Sequence, residues 1–164
     1  MLRLGLTRDG KAMQLEPQDI RLLAALQRDG RLSTAELAEA AGMSASAAWR
    51  RVKRLESEGV IRAWRAEADP RACGLTFQAI VHVQLTRHEP DTLDRFIRAM
   101  TSRDEVMDCF ATTGEADYHL RVLCADIDAY NRFLEEFLFR VPGVASARTN
   151  VVLREVKRSA TLPL

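Results

Sequence analysis

Two stretches carry side chains able to do more than pack. "WRRVKR", Trp49 to Arg54, puts four cations into six residues. Guanidinium and ammonium groups this dense suit an anionic partner, and an arginine fork matches both phosphate and guanine. "TTGEADYHLRV", Thr112 to Val122, places Glu115 and Asp117 two apart behind Gly114. A hairpin needs only a two-residue turn, yet this one carries Gly114-Glu115-Ala116-Asp117. On one reading the acids serve the turn: Gly114 supplies backbone freedom and Asp117 bonds nearby amides. On the other the loop holds a ligand. Asp117, directly before an inward Tyr118, is then the sharper candidate, and Glu115 at the tip faces water.

Other chemistries find little support. No nucleophile signature or glycine-rich phosphate loop is present, so an enzyme is not expected. His82, His88 and His119 are scattered, and a lone strand histidine is more often a hydrogen-bonded interior group than a ligand. Cys73, Cys109 and Cys124 are odd in number and far apart. They read as reduced, mostly buried thiols, which points to the cytoplasm. Their spacing fits no metal site, and no cofactor is implied. A chain of 164 residues, 47% hydrophobic and 29% charged, suits one ordinary globular domain or two small ones. Apolar runs stop well short of the ~18 residues a membrane span needs, and the N-terminus lacks the apolar core of a signal peptide. Net charge is only +1, but residues 1–66 hold 12 lysines and arginines against 8 acids, and residues 67–164 hold 12 against 15. A basic cluster on a balanced chain indicates a local anionic partner.

The elements that must position these groups change character along the chain. Pro17 suits a first helical position. Ile20, Leu23 and Ala24, with Leu26 beside Gln27, predict a helix that stops near Gly30. Ser33 and Glu36 form a capping box for a second helix with Leu37, Ala38 and Ala41 inward, ended by Gly42. Ser44 caps a third, over residues 45–58. Two helices joined by a tight glycine turn are the mark of a helix-turn-helix. Ala48, Val52 and Leu55 share its inner face; Ser46, Arg50, Lys53 and Arg54 lie opposite, and Arg51 sits nearer the apolar edge. Trp49, on the flank, is expected to pack rather than lie against DNA. "VIRAWR", Val60 to Arg65, suits a short strand or wing.

"AEADPRACGL" reads as a linker, after which the period becomes two. Leu75, Phe77, Ala79, Val81, Val83 and Leu85 predict a strand. A helix opens at Asp91 with Leu93, Phe96, Ile97 and Met100 inward. Strands follow over 106–113 and 118–125. Asp126 caps a second helix carrying Tyr130, Phe133, Leu134 and Phe137, and a last strand spans 145–157. The fold class is α+β: an N-terminal winged helix-turn-helix plus a C-terminal ferredoxin-like βαββαβ domain. Residues 1–14 form an extension, either a flexible arm or sequence ahead of a start nearer Met13. Residues 15–65 form the DNA-binding domain, 66–74 the linker and 75–164 the second domain. Helices cover only one sheet face. The other (Gln78, Ile80, His82, His119, Arg121, Leu123) is too apolar for water alone, so a second copy is expected on it. A dimer also suits a helix-turn-helix, whose twofold symmetry reads two half-sites.

This arrangement resembles the Lrp/AsnC (leucine-responsive regulatory protein) family of transcription regulators over about residues 15–160. The carriers are "DGRLSTAELAEAAGMS", "WRRVKRLESEGVI", "TGEADYHLRV" and "PGVASARTNVVLREVK". The resemblance implies a RAM-type second domain, homodimers assembling into octamers (tetramers of dimers), and bending or wrapping of double-stranded DNA. It also implies a small effector, typically an amino acid. The helix start departs from the family, with alanines at 45, 47 and 48 where proline and bulkier residues are frequent. That bears on base preference rather than on DNA binding.

The expected DNA-binding residues are Ser44, Ser46, Ala47, Arg50, Arg51, Lys53 and Arg54. The four cations serve mostly phosphates, and Ser46, Ala47 and Arg50 the bases. The expected effector residues are Thr113, Gly114, Glu115 and Asp117, with amides near Gly114 on a carboxylate and an acid on the ammonium. Thr149 matches a threonine the family uses near that pocket. Sirohaem decarboxylase-type enzymes are similar in architecture and use histidines on the C-terminal sheet. His82 and His119 keep that alternative open, but the basic helix face has no purpose in such an enzyme.

Overall fold

The computed structural model describes residues 3–6, 12–86, 90–159 and 161–164. The chain forms two compact units. One comprises residues 1–66 with 157–164, the other residues 67–156. The second domain is expected to run to 164; by contacts the last eight residues group with the first unit, where the Leu162 N–H donates to Gln27 Oε1 at 2.6 Å. His88 lies outside the described residues.

In the first unit, strands β1 (Arg3–Leu6) and β2 (Ala12–Leu15) pair antiparallel, Arg3 opposite Leu15 and Leu6 opposite Ala12. The expected arm is thus partly paired strand. Three helices follow: α1 (Pro17–Arg28), α2 (Thr34–Ala41) and α3 (Ala45–Ser57). The α2 box is present, with the Ser33 N–H donating to Glu36 Oε2 at 2.7 Å and the Glu36 N–H to Ser33 Oγ at 3.3 Å. Gly42 ends α2 at φ +67°, a backbone state that only glycine takes without cost. The stop of α1 differs from expectation. Asp29, extended, caps it and accepts the Arg31 N–H on Oδ1 at 2.8 Å, and Gly30 has no positive φ.

Leu22, Leu37, Ala38, Ala41 and Ala48 make the unit's core, with Val52 against it. Leu22, absent from the expected α1 stripe, is fully buried. No strand forms over 60–66. Trp64 holds that segment down, its Nε1–H donating to Glu56 Oε1 at 2.9 Å and its ring lying against Gly30. Val60 and Ile61 pack with Leu15 against Leu23 and Leu55, and the segment stays irregular.

The second unit has the order β3 (Phe77–Leu85), α4 (Pro90–Thr101), β4 (Val106–Ala111), β5 (Tyr118–Cys124), α5 (Ile127–Arg132) and β6 (Val144–Val151). The four strands are antiparallel in the order β4-β5-β3-β6, as βαββαβ requires. Val81, Val83, Leu120 and Val122 are fully buried with Phe96, Met100 and Leu138, each contributing roughly 1.5–3 kcal/mol of apolar burial. Asp126 Oδ1 caps α5 on the Ala129 N–H at 2.7 Å. The expected single helix then changes pitch, becoming a π-turn over Phe133–Phe137 and a 3₁₀ turn over Leu138–Arg140. β6 stops at Val151, short of the expected 157. The last tie to β3 is the Val152 N–H on the Gln78 carbonyl, where β3 itself runs out.

The face away from the helices carries Ile80, His82, His119, Arg121 and Leu123, with Asp108 and Phe110 from β4. His82 and His119 are cross-strand partners, their rings edge-on at 4.5 Å. Arg121 Nε donates to Asp108 Oδ2 at 2.5 Å.

Candidate functional site

α3 is built to present one face. The Ser44 Oγ accepts the Ala47 N–H at 3.3 Å and sits 3.2 Å from Ser46 Oγ. The first turn holds no acid of its own to offset the positive end of the helix dipole. Ala48 and Leu55 are buried, which turns Ala45, Ser46, Trp49, Arg50 and Lys53 outward, all exposed; Ala47 is half-buried.

The basic run divides in two. Arg51 Nη1 donates to Asp19 Oδ1 at 3.0 Å and Nη2 to Glu16 Oε2 at 2.7 Å. Arg54 Nη2 donates to Asp19 Oδ2 at 2.6 Å. Asp19 is fully buried at the start of α1. Burial pushes its carboxyl up, but the Glu16 N–H and the two guanidiniums outweigh that and hold it below the usual carboxylate range. Two of the four expected phosphate cations are therefore committed to the fold. A carboxylate in the core cannot stay charged without such partners. A signal for this lay in the sequence: Asp19 precedes Leu22 and Leu23 by three and four, so it shares their inward face. Lys53 lies 2.8 Å from Glu56 on the surface. Arg50 is exposed and, among the described residues, its guanidinium forms no ion pair or hydrogen bond. Trp49, expected to pack, is 57% exposed.

The β4–β5 loop is closed by its own backbone. The Thr112 N–H donates to the Asp117 carbonyl at 3.0 Å and its hydroxyl to the Ala116 carbonyl at 3.0 Å. Gly114 stands at φ +136° with open space where a Cβ would be. Asp117 is half-buried and structural in its contacts: Oδ2 accepts the Leu85 N–H at 2.7 Å, and its N–H donates to the Val83 carbonyl. That bond sits where the β3–β6 register shifts, between Gln84 and Leu85. Thr113, Gly114 and Glu115 form the exposed tip. The Glu115 carbonyl accepts from Gln84 Nε2 at 2.6 Å, and its carboxylate lies 3.5 Å from Arg148. Thr149 is elsewhere. It pairs with the buried Val81 on the helix-covered face, and its hydroxyl is 2.6 Å from Tyr130 OH.

The profile of the Lrp/AsnC ligand binding domain matches residues 78–162, and that of a winged helix-turn-helix DNA-binding module matches residues 15–62. A leucine-responsive regulatory protein of Haemophilus influenzae is 37% identical over 150 residues, 92% of this chain and 90% of that protein. This chain belongs to the Lrp/AsnC family of transcription regulators. The leucine-responsive regulatory protein of Escherichia coli K12 is 37% identical over 94% of this chain and 93% of its own length. A Neisseria meningitidis transcriptional regulator, solved as a complex with L-Met, superposes at a TM-score of 0.86 with 36% identity, covering 91% of this chain and 96% of that one. E. coli AsnC superposes at 0.80 with 26% identity, covering 90% and 99%. An Lrp/AsnC regulator divides its work between a DNA-binding and a ligand-binding unit, and both are present here. No helix among the described residues is long and apolar enough to cross a membrane.

Proposed function

We propose that this regulator acts in the cytoplasm, docks α3 in the major groove of double-stranded DNA and alters its assembly when an amino acid binds the second unit. The observation that carries the docking is Arg50: a cation on the outward face of α3 with no internal partner among the described residues, beside the small Ser46. Ser44, Ser46 and Ala47 line the approaching helix end, and Lys53 adds a phosphate contact. Arg51 and Arg54 act mainly by fixing the helix. Arg50→Ala should weaken duplex binding and lower the slope of log affinity against log salt by about 1; titrations at four salt concentrations measure it. An unchanged slope rejects the docking.

The effector reading rests on the exposed, glycine-bearing tip Thr113–Glu115, and the L-Met complex of the N. meningitidis relative supports the ligand class. The Glu115 carboxylate, 85% exposed, takes the ammonium group, and amides near Gly114 the carboxylate. Asp117 shapes the loop from below, while Thr149 contributes through Tyr130. A thermal-shift screen of the twenty amino acids tests this, since a ligand at ~100 times its Kd adds about 2.7 kcal/mol of apparent stability. Glu115→Ala should erase the shift and leave the ligand-free Tm in place. Asp117→Ala should lower the ligand-free Tm itself. Persistence of the full shift in Glu115→Ala would reject the assignment.

A second copy covers the open sheet face, joining Ile80 and Phe110 of both chains. The dimers assemble further into octamers. A binding event shifts such an equilibrium only by its differential affinity for the assemblies.

A further inference from the structure

Trp49 belongs to none of the hydrophobic clusters formed by the described residues. The other tryptophan, Trp64, bonds Glu56 through its indole nitrogen and rests on Gly30. Trp49 is 57% exposed, and among the described residues its indole makes no hydrogen bond or ring contact. An indole exposed on the outward face of α3 can meet a partner of matching chemistry. Its position says which. Helical side chains lean toward the N-terminus, so the indole lies over the turn formed by Ala45 and Ser46, four and three residues earlier. Both are small and exposed, which leaves the ring room to lie flat over the helix end that approaches base edges. Arg50, the next residue, is the unpartnered cation. Arg51 and Arg54, on the opposite side, are bolted to Asp19, so the helix cannot roll to hide the ring.

The major-groove edge offers two complementary groups. Thymine alone presents a C5-methyl, and guanine presents N7 and O6 to an arginine fork. We propose that Trp49 and Arg50 are specificity-determining residues that together read a thymine beside a guanine in each half-site, the indole against the thymine methyl and the guanidinium on the guanine. This rests on the docking of α3 proposed above.

The test removes the methyl and nothing else. High-affinity duplexes are first selected from a randomised pool with the full-length chain. Wild type and Trp49→Ala are then titrated against the best duplex and against versions in which each thymine in turn becomes deoxyuridine. Wild type should lose roughly 5- to 10-fold in affinity at one thymine per half-site. Trp49→Ala should lose a similar factor on the parent duplex and be indifferent to uracil at that position; Trp49→Phe should keep part of the discrimination. Unchanged melting of both variants shows that the fold is intact. Wild type indifferent to uracil at every thymine, or Trp49→Ala as uracil-sensitive as wild type, overturns the inference while leaving docking intact. Absence of salt-dependent duplex binding overturns both.

Discussion

Asp19→Ala should lower the stability of the first unit by about 2–3 kcal/mol, measured by urea unfolding at pH 7. Removing one partner of a fully buried ion pair costs about 3–5 kcal/mol, because the other charge is stranded. Here the arginine side chains keep 23% and 39% of their exposure, so water recovers part of the loss. Duplex affinity should fall with it, since Arg51 and Arg54 no longer lock α3 to α1. The pH dependence has a definite sign. The folded carboxyl titrates below its unfolded value, so its contribution is complete above about pH 4 and disappears as pH falls through the folded pKa. The gap between wild type and Asp19→Ala should therefore narrow in acid. A gap that stays constant from pH 7 to pH 2.5 would show that the carboxylate charge is not what stabilises.

Gly143→Ala should destabilise the second unit by about 2 kcal/mol, from two separable causes. Gly143 sits at φ +92°, where an L side chain is strained by about 1–2 kcal/mol. Its Cβ would also overlap Thr92 Cγ2 on α4. The turn has little freedom to move away, since the Gly143 carbonyl accepts the Thr86 N–H at 2.8 Å and leads directly into β6. At roughly 4–8 °C per kcal/mol for a unit of this size, the melting midpoint should drop by about 8–16 °C. Adding Thr92→Ala should return the steric share alone. Full recovery in the double variant would mean that the backbone carries no strain.

Local chemistry was legible before the structure was. Ser33 with Glu36, the left-handed Gly42, the Ser44 cap and the Asp126 cap each depend on residues within a few positions, and each forms as the spacing indicates. The alternation from Phe77 to Leu85 names the buried face of β3 because period two leaves no ambiguity. What escaped was long in range or irregular. Arg51 and Arg54 look like free cations until α1 is folded against α3, 32 and 35 residues away. Trp49 looks like packing until Ala48, Val52 and Leu55 have filled the inner side. Thr149 belongs to an alternating strand, and its bond to Tyr130 depends on how α5 lies across the sheet. The change of pitch at Phe133 leaves no mark on an apolar pattern that suits an α-helix throughout. At the loop, Asp117 Oδ2 accepts the Leu85 N–H of β3 and the Glu115 carboxylate is exposed at the tip, which is why the ammonium contact is proposed for Glu115.

The tie between Leu162 and Gln27 has a bearing on how such proteins are taken apart and recombined. Residues 157–164 group with the first unit rather than with the second, which precedes them in the chain. A fragment ending at residue 66 lacks the Leu162 N–H bond to Gln27 Oε1. An exchange of ligand-binding units that replaces everything beyond residue 66 would therefore remove the Leu162 contact to Gln27 as well.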